Sequence, residues 1–296
     1  MFTTFGDMFI NFYFKNNILE GISLGKSNNI ILANLASYYP TKVLGVIGNN
    51  KLANVAIKDL DKLGIDHSKL EVIDDDIKGL FFNDGITDIC PYCNRKYSYD
   101  ETKIDVDNII NNIDSKDRII IDNLSDETIE ILSSIDNEIY LDLGTISSIK
   151  YLSLDELEDI TCNFKIVNID VKVYSYLKNK FKIDSRDLFN IFNPELLIIY
   201  NGILGCDIIT AEDITHKDME GKSALDSTGS REAFFAEFIH EYLSYNLVDD
   251  KVLSNIFIKS FSKLIYVSNH TGALTHLIPL NKVKNYSECI CKEIDI

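Results

Sequence analysis

The sequence predicts an α/β protein built around a largely parallel sheet, and three observations carry that prediction. Short apolar runs of strand length alternate with longer segments of helical period, as in successive βαβ units. Helix-starting signals fall where the alternation needs them. The composition is that of a chain able to bury a full core: 46% apolar and 25% charged over 296 residues, with mean hydropathy near zero. Such a chain needs neither disulfides nor a metal for stability.

In order along the chain, strands are expected at 1–5, 42–47, 118–122, 138–143, 164–168 and 195–200, and helices near 29–37, 51–63, 126–134, 155–160 and 171–179. Ser153-Leu154-Asp155-Glu156 has the spacing of a capping box, and Ser125 stands where an N-cap should precede Thr128 to Leu132. The last third reads as two long helices, 229–246 and 251–268. The first puts Phe234, Phe235, Phe238, Ile239 and Tyr242 on one side, a stripe that core packing explains. Segments 11–24 and 79–103 interrupt the rhythm and are read as a small lid sheet over one end of the core. With no repeat, linker or boundary visible, residues 1–296 are expected to form one domain.

Charge narrows the function. Twenty-nine basic against forty-six acidic residues give a net charge of −17, which speaks against nucleic-acid and anionic-membrane surfaces. A phosphorylated small molecule would have to be held by backbone dipoles or by a cation such as Mg²⁺. No apolar stretch approaches the roughly 18 residues of a membrane span, and the N-terminal MFTTFGDMFINFYFK does not read as a secretory signal. A cytoplasmic protein is expected, its six cysteines reduced thiols or metal ligands.

Cys90-Pro91-Tyr92-Cys93 admits three readings. It is a glutaredoxin-like dithiol string, although no good helix follows it. It supplies two of the four ligands a zinc knuckle needs, with Cys289 and Cys291 or a second subunit's pair as the others. Or it holds two unliganded thiols in a turn. Cys162 and Cys206 fall in or beside apolar strand patterns and are read as core. The five histidines show no metal-binding spacing, and His240 reads as a surface residue.

The string that carries chemistry is Asp226-Ser227-Thr228-Gly229-Ser230-Arg231-Glu232-Ala233-Phe234, directly before a long amphipathic helix. A small, Gly-containing turn there exposes backbone N–H groups and the positive dipole end, and a carboxylate in the first turn can take a proton from an attacking hydroxyl. The plain alternative is that Asp226, Ser227 or Thr228 caps the helix while Glu232 complements its dipole.

This string resembles the D-T-x-G-A-G-D-x-F signature of the ribokinase-like carbohydrate kinases, the PfkB family, with Asp226, Gly229 and Phe234 in place. Other segments are similar to that family in order and spacing. They are Gly6-Asp7 followed by Asn11, Leu24 to Asn29 followed by Ala33 to Ala36, Val43 to Asn50 followed by Leu60 to Asp66, Asn201-Gly202-Ile203-Leu204-Gly205, and His270-Thr271-Gly272-Ala273. The resemblance implies a three-layer α/β/α ribokinase-like fold with a small β lid. It implies an ATP- and Mg²⁺-dependent kinase passing the γ-phosphoryl group to a hydroxyl of a sugar-like substrate. Glu232 would be the base, with Gly229, Ser230 and Arg231 in the anion hole. Asp7, Asn11 and Asn29 would hold the substrate, and Asn201, Gly202, Gly205 and Asp226 the nucleotide.

The departures from the family's pattern are Glu232 for the catalytic Asp, Arg231 for a Gly, Lys26 for the second Gly of a pair, Asn11 for an Asp, and Val171 for the Glu of an Asn-x-x-Glu tied to Mg²⁺. They motivate a second expectation, a catalytically silent kinase fold kept as a ligand-binding or scaffold module. Apolar lid residues Phe12, Phe14, Leu80, Phe81 and Phe82 motivate a homodimer through the lid.

Overall fold

The computed structural model describes residues 1–16, 18–75, 78–83, 86–87, 104–218 and 227–281. The elements run β1 (Phe2–Asp7), β2 (Phe9–Lys15), β3 (Ile18–Leu24), α1 (Ser27–Leu35), β4 (Thr41–Gly48), α2 (Ala53–Leu63), β5 (Asp66–Ile73), β6 (Lys78–Asn83), β7 (Ile86–Thr87), α3 (Val106–Asn112), β8 (Arg118–Ile121) and α4 (Asp126–Ser133). They continue with β9 (Glu138–Leu143), α5 (Leu154–Glu158), β10 (Phe164–Asp170), α6 (Val171–Phe181), α7 (Ser185–Phe192), β11 (Leu196–Tyr200), β12 (Gly205–Ile209), β13 (Ile214–Asp218), α8 (Ser230–Leu243) and α9 (Asp250–Ser268).

Nine strands form the main sheet in the order β13-β12-β11-β10-β9-β8-β1-β4-β5. From β11 to β5 every pairing is parallel, whereas β12 and β13 join antiparallel at one edge. Because side chains alternate across a strand, this sheet feeds two cores. On β11, Leu196, Ile198 and Tyr200 enter one and Leu197 and Ile199 the other; on β8, Ile120 enters the first and Ile119 and Ile121 the second. Helices α1, α2, α8 and α9 close the first core, α3 to α7 the second. This is the three-layer α/β/α arrangement expected.

The phenylalanine stripe of α8 is core, with Phe234, Phe235, Phe238 and Ile239 fully buried and each contributing about 1.5–3 kcal/mol by burial. The capping signals act as read: Ser125 accepts from the Thr128 N–H, and Ser153 forms a capping box with Glu156.

A second sheet, β3-β2-β6-β7, pairs β2 with β6 in parallel and with β3 antiparallel. Its apolar side chains corrected one expectation. Phe12 and Phe14 are buried in the first core and not exposed on the lid, whereas Leu80 and Phe82 are half-buried and the Phe81 side chain lies outside the described residues. Cys206 is buried on β12, as expected, but Cys162 is half-exposed in the loop before β10, where burial still raises its thiol to about 11. His240 is half-buried and stacks on Tyr38 at 3.7 Å, which removes it from the open surface.

Candidate active site at the strand ends

Two helix N-termini meet over the C-terminal ends of the parallel strands, and both are locally unusual. Helix α8 starts at Gly229 with φ 76° and no side-chain cap. A Cβ there would lie 2.5 Å from the Cβ of Ala273, so only glycine meets both the left-handed backbone and the close approach. The Ser230 N–H is turned inward onto the Ser227 carbonyl (3.2 Å). Helix α1 starts at Lys26 with φ 71° and ψ 140°, again without a side-chain cap, a conformation that costs a non-glycine residue about 1–3 kcal/mol. A carboxylate from far along the chain serves this turn: the Asn28 N–H donates to Asp122 Oδ2 (3.3 Å), just beyond β8. The Asn28 amide also donates to the Phe5 carbonyl of β1 (3.1 Å).

Where the two helices touch, the Ser27 hydroxyl donates to Glu232 Oε1 (2.7 Å). Arg231 Nη2 donates to the same oxygen (2.7 Å) and to Ser27 Oγ (2.9 Å), and lies 2.9 Å from Asp142 Oδ2 at the end of β9. The other Asp142 oxygen accepts from the Asn168 amide of β10 (2.7 Å). Gly144 makes room for this guanidinium, since a Cβ on it would stand 1.4 Å from Arg231 Nη1. Burial pushes the Asp142 carboxyl up, against the pull of Arg231 and with help from the Glu232 charge, to about 7. Burial works against the charged guanidinium too, but Asp142, Glu232 and Asp170 outweigh it and hold Arg231 charged. Breaking such a buried pair by removing one partner costs roughly 3–5 kcal/mol.

Next to this cluster lies a second buried cation. Lys26 Nζ is 3.8 Å from Asp122 Oδ1 and 5.8 Å from the Phe9 ring centre. Asp7 ends β1, Asn11 lies on β2 and Asn29 in the first turn of α1, all buried. Both polar side-chain atoms of Asn29 are buried without a hydrogen-bond partner, as is Asn11 Oδ1, while the Asn11 amide nitrogen donates to the Tyr13 hydroxyl (3.1 Å). The cleft lined by Phe5, Gly6, Asp7, Lys26, Asn123 and Ser125, among others, holds about 10 Å³ of free space, room for about one water molecule.

Thus Asp7, Asn29, Gly229, Ser230, Arg231 and Glu232 fall around the same strand ends, with Asn11 entering from the second sheet. Asn201, Gly202 and Gly205 form the tight connection between β11 and β12, where the Asn201 N–H donates to the Gly205 carbonyl (2.9 Å). Asp226, Cys90, Cys93, Cys289 and Cys291 lie outside the described residues. Sequence reasoning missed Ser27, Asp122, Asp142 and Gly144 as site residues. The signal for Asp142 was present: an acid inside the otherwise apolar strand Glu138–Leu143 is unusual unless it is paired.

Among the described residues, the acids at these strand ends that could meet the Mg²⁺ implied by the resemblance each have an oxygen already engaged. Asp142 and Glu232 are engaged by Arg231, Asp170 Oδ1 accepts the Lys172 N–H as the cap of α6, and Val171 offers no ligand. Among the described residues no group of three or more His, Cys, Asp or Glu could hold a metal.

The class of protein this architecture defines is the ribokinase-like fold. The chain is similar to fructokinase from Vibrio cholerae O395, solved with fructose, ADP and calcium (11% identity, 93% of this chain and 95% of that one, TM-score 0.71). It is also similar to the nucleoside kinase of Methanocaldococcus jannaschii, an archaeal member of the ribokinase family (13%, 95% of each chain, 0.66). A third is aminoimidazole riboside kinase of Salmonella enterica, solved with aminoimidazole riboside and an ATP analogue (13%, 92% and 95%, 0.69). At these identities the likeness is one of fold, and the fold expected from the sequence is the fold observed. No protein-family model and no curated protein matches the sequence. No helix among the described residues is long and apolar enough to cross a membrane.

Proposed function

We propose that this chain is a cytoplasmic small-molecule kinase that passes the γ-phosphoryl group of ATP to a hydroxyl of a sugar-like substrate, with the second sheet as the lid of a single domain. The observation that carries the reading is the buried, unpartnered Asn29 amide in the helix turn whose Ser27 bonds Glu232. An amide with a free donor and a free acceptor, kept from water, is costly unless a ligand hydroxyl completes it. Asp7 and Asn11 join Asn29 in holding the substrate. The sequence resemblance assigns Asn201, Gly202 and Gly205 to the nucleotide, together with Asp226, which lies outside the described residues.

In the reaction Glu232 takes the proton of the acceptor hydroxyl, that oxygen bonds the γ-phosphorus, and the bond from γ-phosphorus to the bridging oxygen breaks to release ADP. Ser27 and Arg231 both bond Oε1, which fixes the carboxylate plane and leaves Oε2 for the substrate. The positive end of α8 favours the negative charge of the transferring phosphoryl group.

Thermal shift with ATP and ADP, followed by ADP release across a panel of sugars and nucleosides, tests the reading. Glu232→Gln keeps the shape and removes the base. Turnover should fall about 10²–10⁴-fold with the nucleotide-induced shift retained, and unchanged turnover would dismiss Glu232 as the base. Buried Lys26 at the strand ends, where the family pattern has a glycine, favours a second reading, a silent ribokinase-fold binding protein. Ligand binding by the wild-type chain with no ADP release from any acceptor would favour it.

A further inference from the structure

The phosphate end of this site already contains its cation. Arg231 donates its hydrogen bonds through Nη2, to Glu232 and Ser27, and the same nitrogen is ion-paired with Asp142 Oδ2 at 2.9 Å. Its Nε is buried without a partner, and Nη1 makes no hydrogen bond to the described residues. A guanidinium has five N–H donors, so Nη2 is anchored while the donors on Nε and Nη1, which point in different directions, remain for single bonds to phosphate oxygens. Gly144 supplies the space the guanidinium needs. Of the acids at these strand ends, Asp142 Oδ2 and Glu232 Oε1 face Arg231 and Asp170 Oδ1 caps α6.

We propose that Arg231 stands in for the divalent metal at the phosphate end, so that this chain binds the phosphates of its nucleotide without a metal ion. The proposal rests on the nucleotide reading above but is separable from it. One guanidinium charge shared with two carboxylates gives modest affinity, and what the proposal fixes is the absence of metal dependence.

The test is calorimetry on the full chain with ADP and, separately, inorganic pyrophosphate, each in EDTA and in millimolar Mg²⁺. For the wild type the dissociation constants in the two buffers should agree within about threefold. Arg231→Met should weaken binding in EDTA at least tenfold. Arg231→Lys, which keeps the charge but loses the planar guanidinium, should fall between. Gly144→Ala should weaken binding with Arg231 intact, because the new Cβ displaces the guanidinium. Circular dichroism confirms that each variant is folded, and Arg231→Lys decides the matter if Gly144→Ala is not. Binding by the wild type only with Mg²⁺, or Arg231→Met binding in EDTA as tightly as wild type, overturns the proposal. Pyrophosphate bound in EDTA through Arg231 with no binding of ADP would leave the metal-free site standing and sink the nucleotide reading. Neither ligand bound in EDTA sinks the metal-free site whatever Mg²⁺ does.

Discussion

The two faces of the main sheet begin their helices differently. On the α3 to α7 face each helix opens on an Asp or Ser whose side chain accepts from the first turn: Asp105, Ser125, Ser153, Asp170 and Asp184. On the other face α1 and α8 open on Lys26 and Gly229, both at positive φ and neither with a side-chain cap, whereas α9, which starts away from the strand ends, reverts to Asp249. Helix α2 also opens without its own cap, on Leu52, but Asn50 Oδ1 accepts its first N–H groups; positive φ and buried charges coincide only at the two termini that meet over the sheet. The local rules that stabilise a helix are obeyed where the helix only packs and broken where it can hold a ligand.

Replacing the broken rule by an ordinary residue gives the largest expected effect. Gly229→Ala puts a Cβ on a left-handed backbone against Ala273. The conformation costs about 1–2 kcal/mol and the overlap about 1–3 kcal/mol more. Denaturant unfolding should show a loss of about 2–5 kcal/mol together with loss of nucleotide binding. A variant as stable as wild type would show that the turn relaxes freely and that the contrast between the faces is superficial.

Caps alone did not make a face legible: α1, α2, α8 and α9 were all expected, whereas α3 and α7 on the capped face escaped notice despite Asp105 and Asp184. Strand Glu138–Leu143, the Ser153 box and the start of α6 follow from local periodicity and capping, which a few neighbouring residues determine. Strand β1 runs on to Asp7 because Gly6 and Asp7 pair with Gly45 and Val46, partners sequence alone does not reveal. Strands β5 and β13 escaped notice because their exposed edge positions remove the apolar alternation, and β12, although largely buried, because it is short and follows β11 antiparallel with no intervening α-helix. In the site, the motif marked Glu232 and Arg231. What Arg231 faces was illegible, since Ser27 lies 204 residues away and Asp142 and Gly144 belong to another βα unit. A motif names the residue on one helix and leaves the opposing strand ends to the fold.

A pH-dependent measurement probes the packing between α1 and the segment after α9. His276 lies half-buried with Nε2 2.8 Å from Asn34 Oδ1. Burial, with the nearby Lys263 and His270 charges, lowers its pKa to about 4 from an ordinary 6.5. A histidine held neutral in the folded state contributes stability that is present above the unfolded value and lost as pH falls from about 6.5 toward 4, because the unfolded chain takes up the proton first. Melting between pH 7 and 4.5 should therefore decline less steeply in His276→Gln than in wild type. Parallel curves would remove His276 from the acid response and from the account of how this face is held.

The smallest effect belongs to the capped face. Ser153 accepts the Glu156 N–H at 3.2 Å, and Glu156 accepts the Ser153 N–H at 2.7 Å, closing the box at the start of α5. Ser153→Ala removes one of these bonds and leaves the N–H of Glu156 to water, a loss of about 1 kcal/mol. In a chain of this size that lowers Tm by roughly 2 °C. Because α5 covers the second core and none of its residues lines the cleft, nucleotide affinity should stay within experimental error of wild type. Coupling between the two readouts would mean that the capped face also shapes the site, and the division between a packing face and a binding face would fail at the element where it should be cleanest.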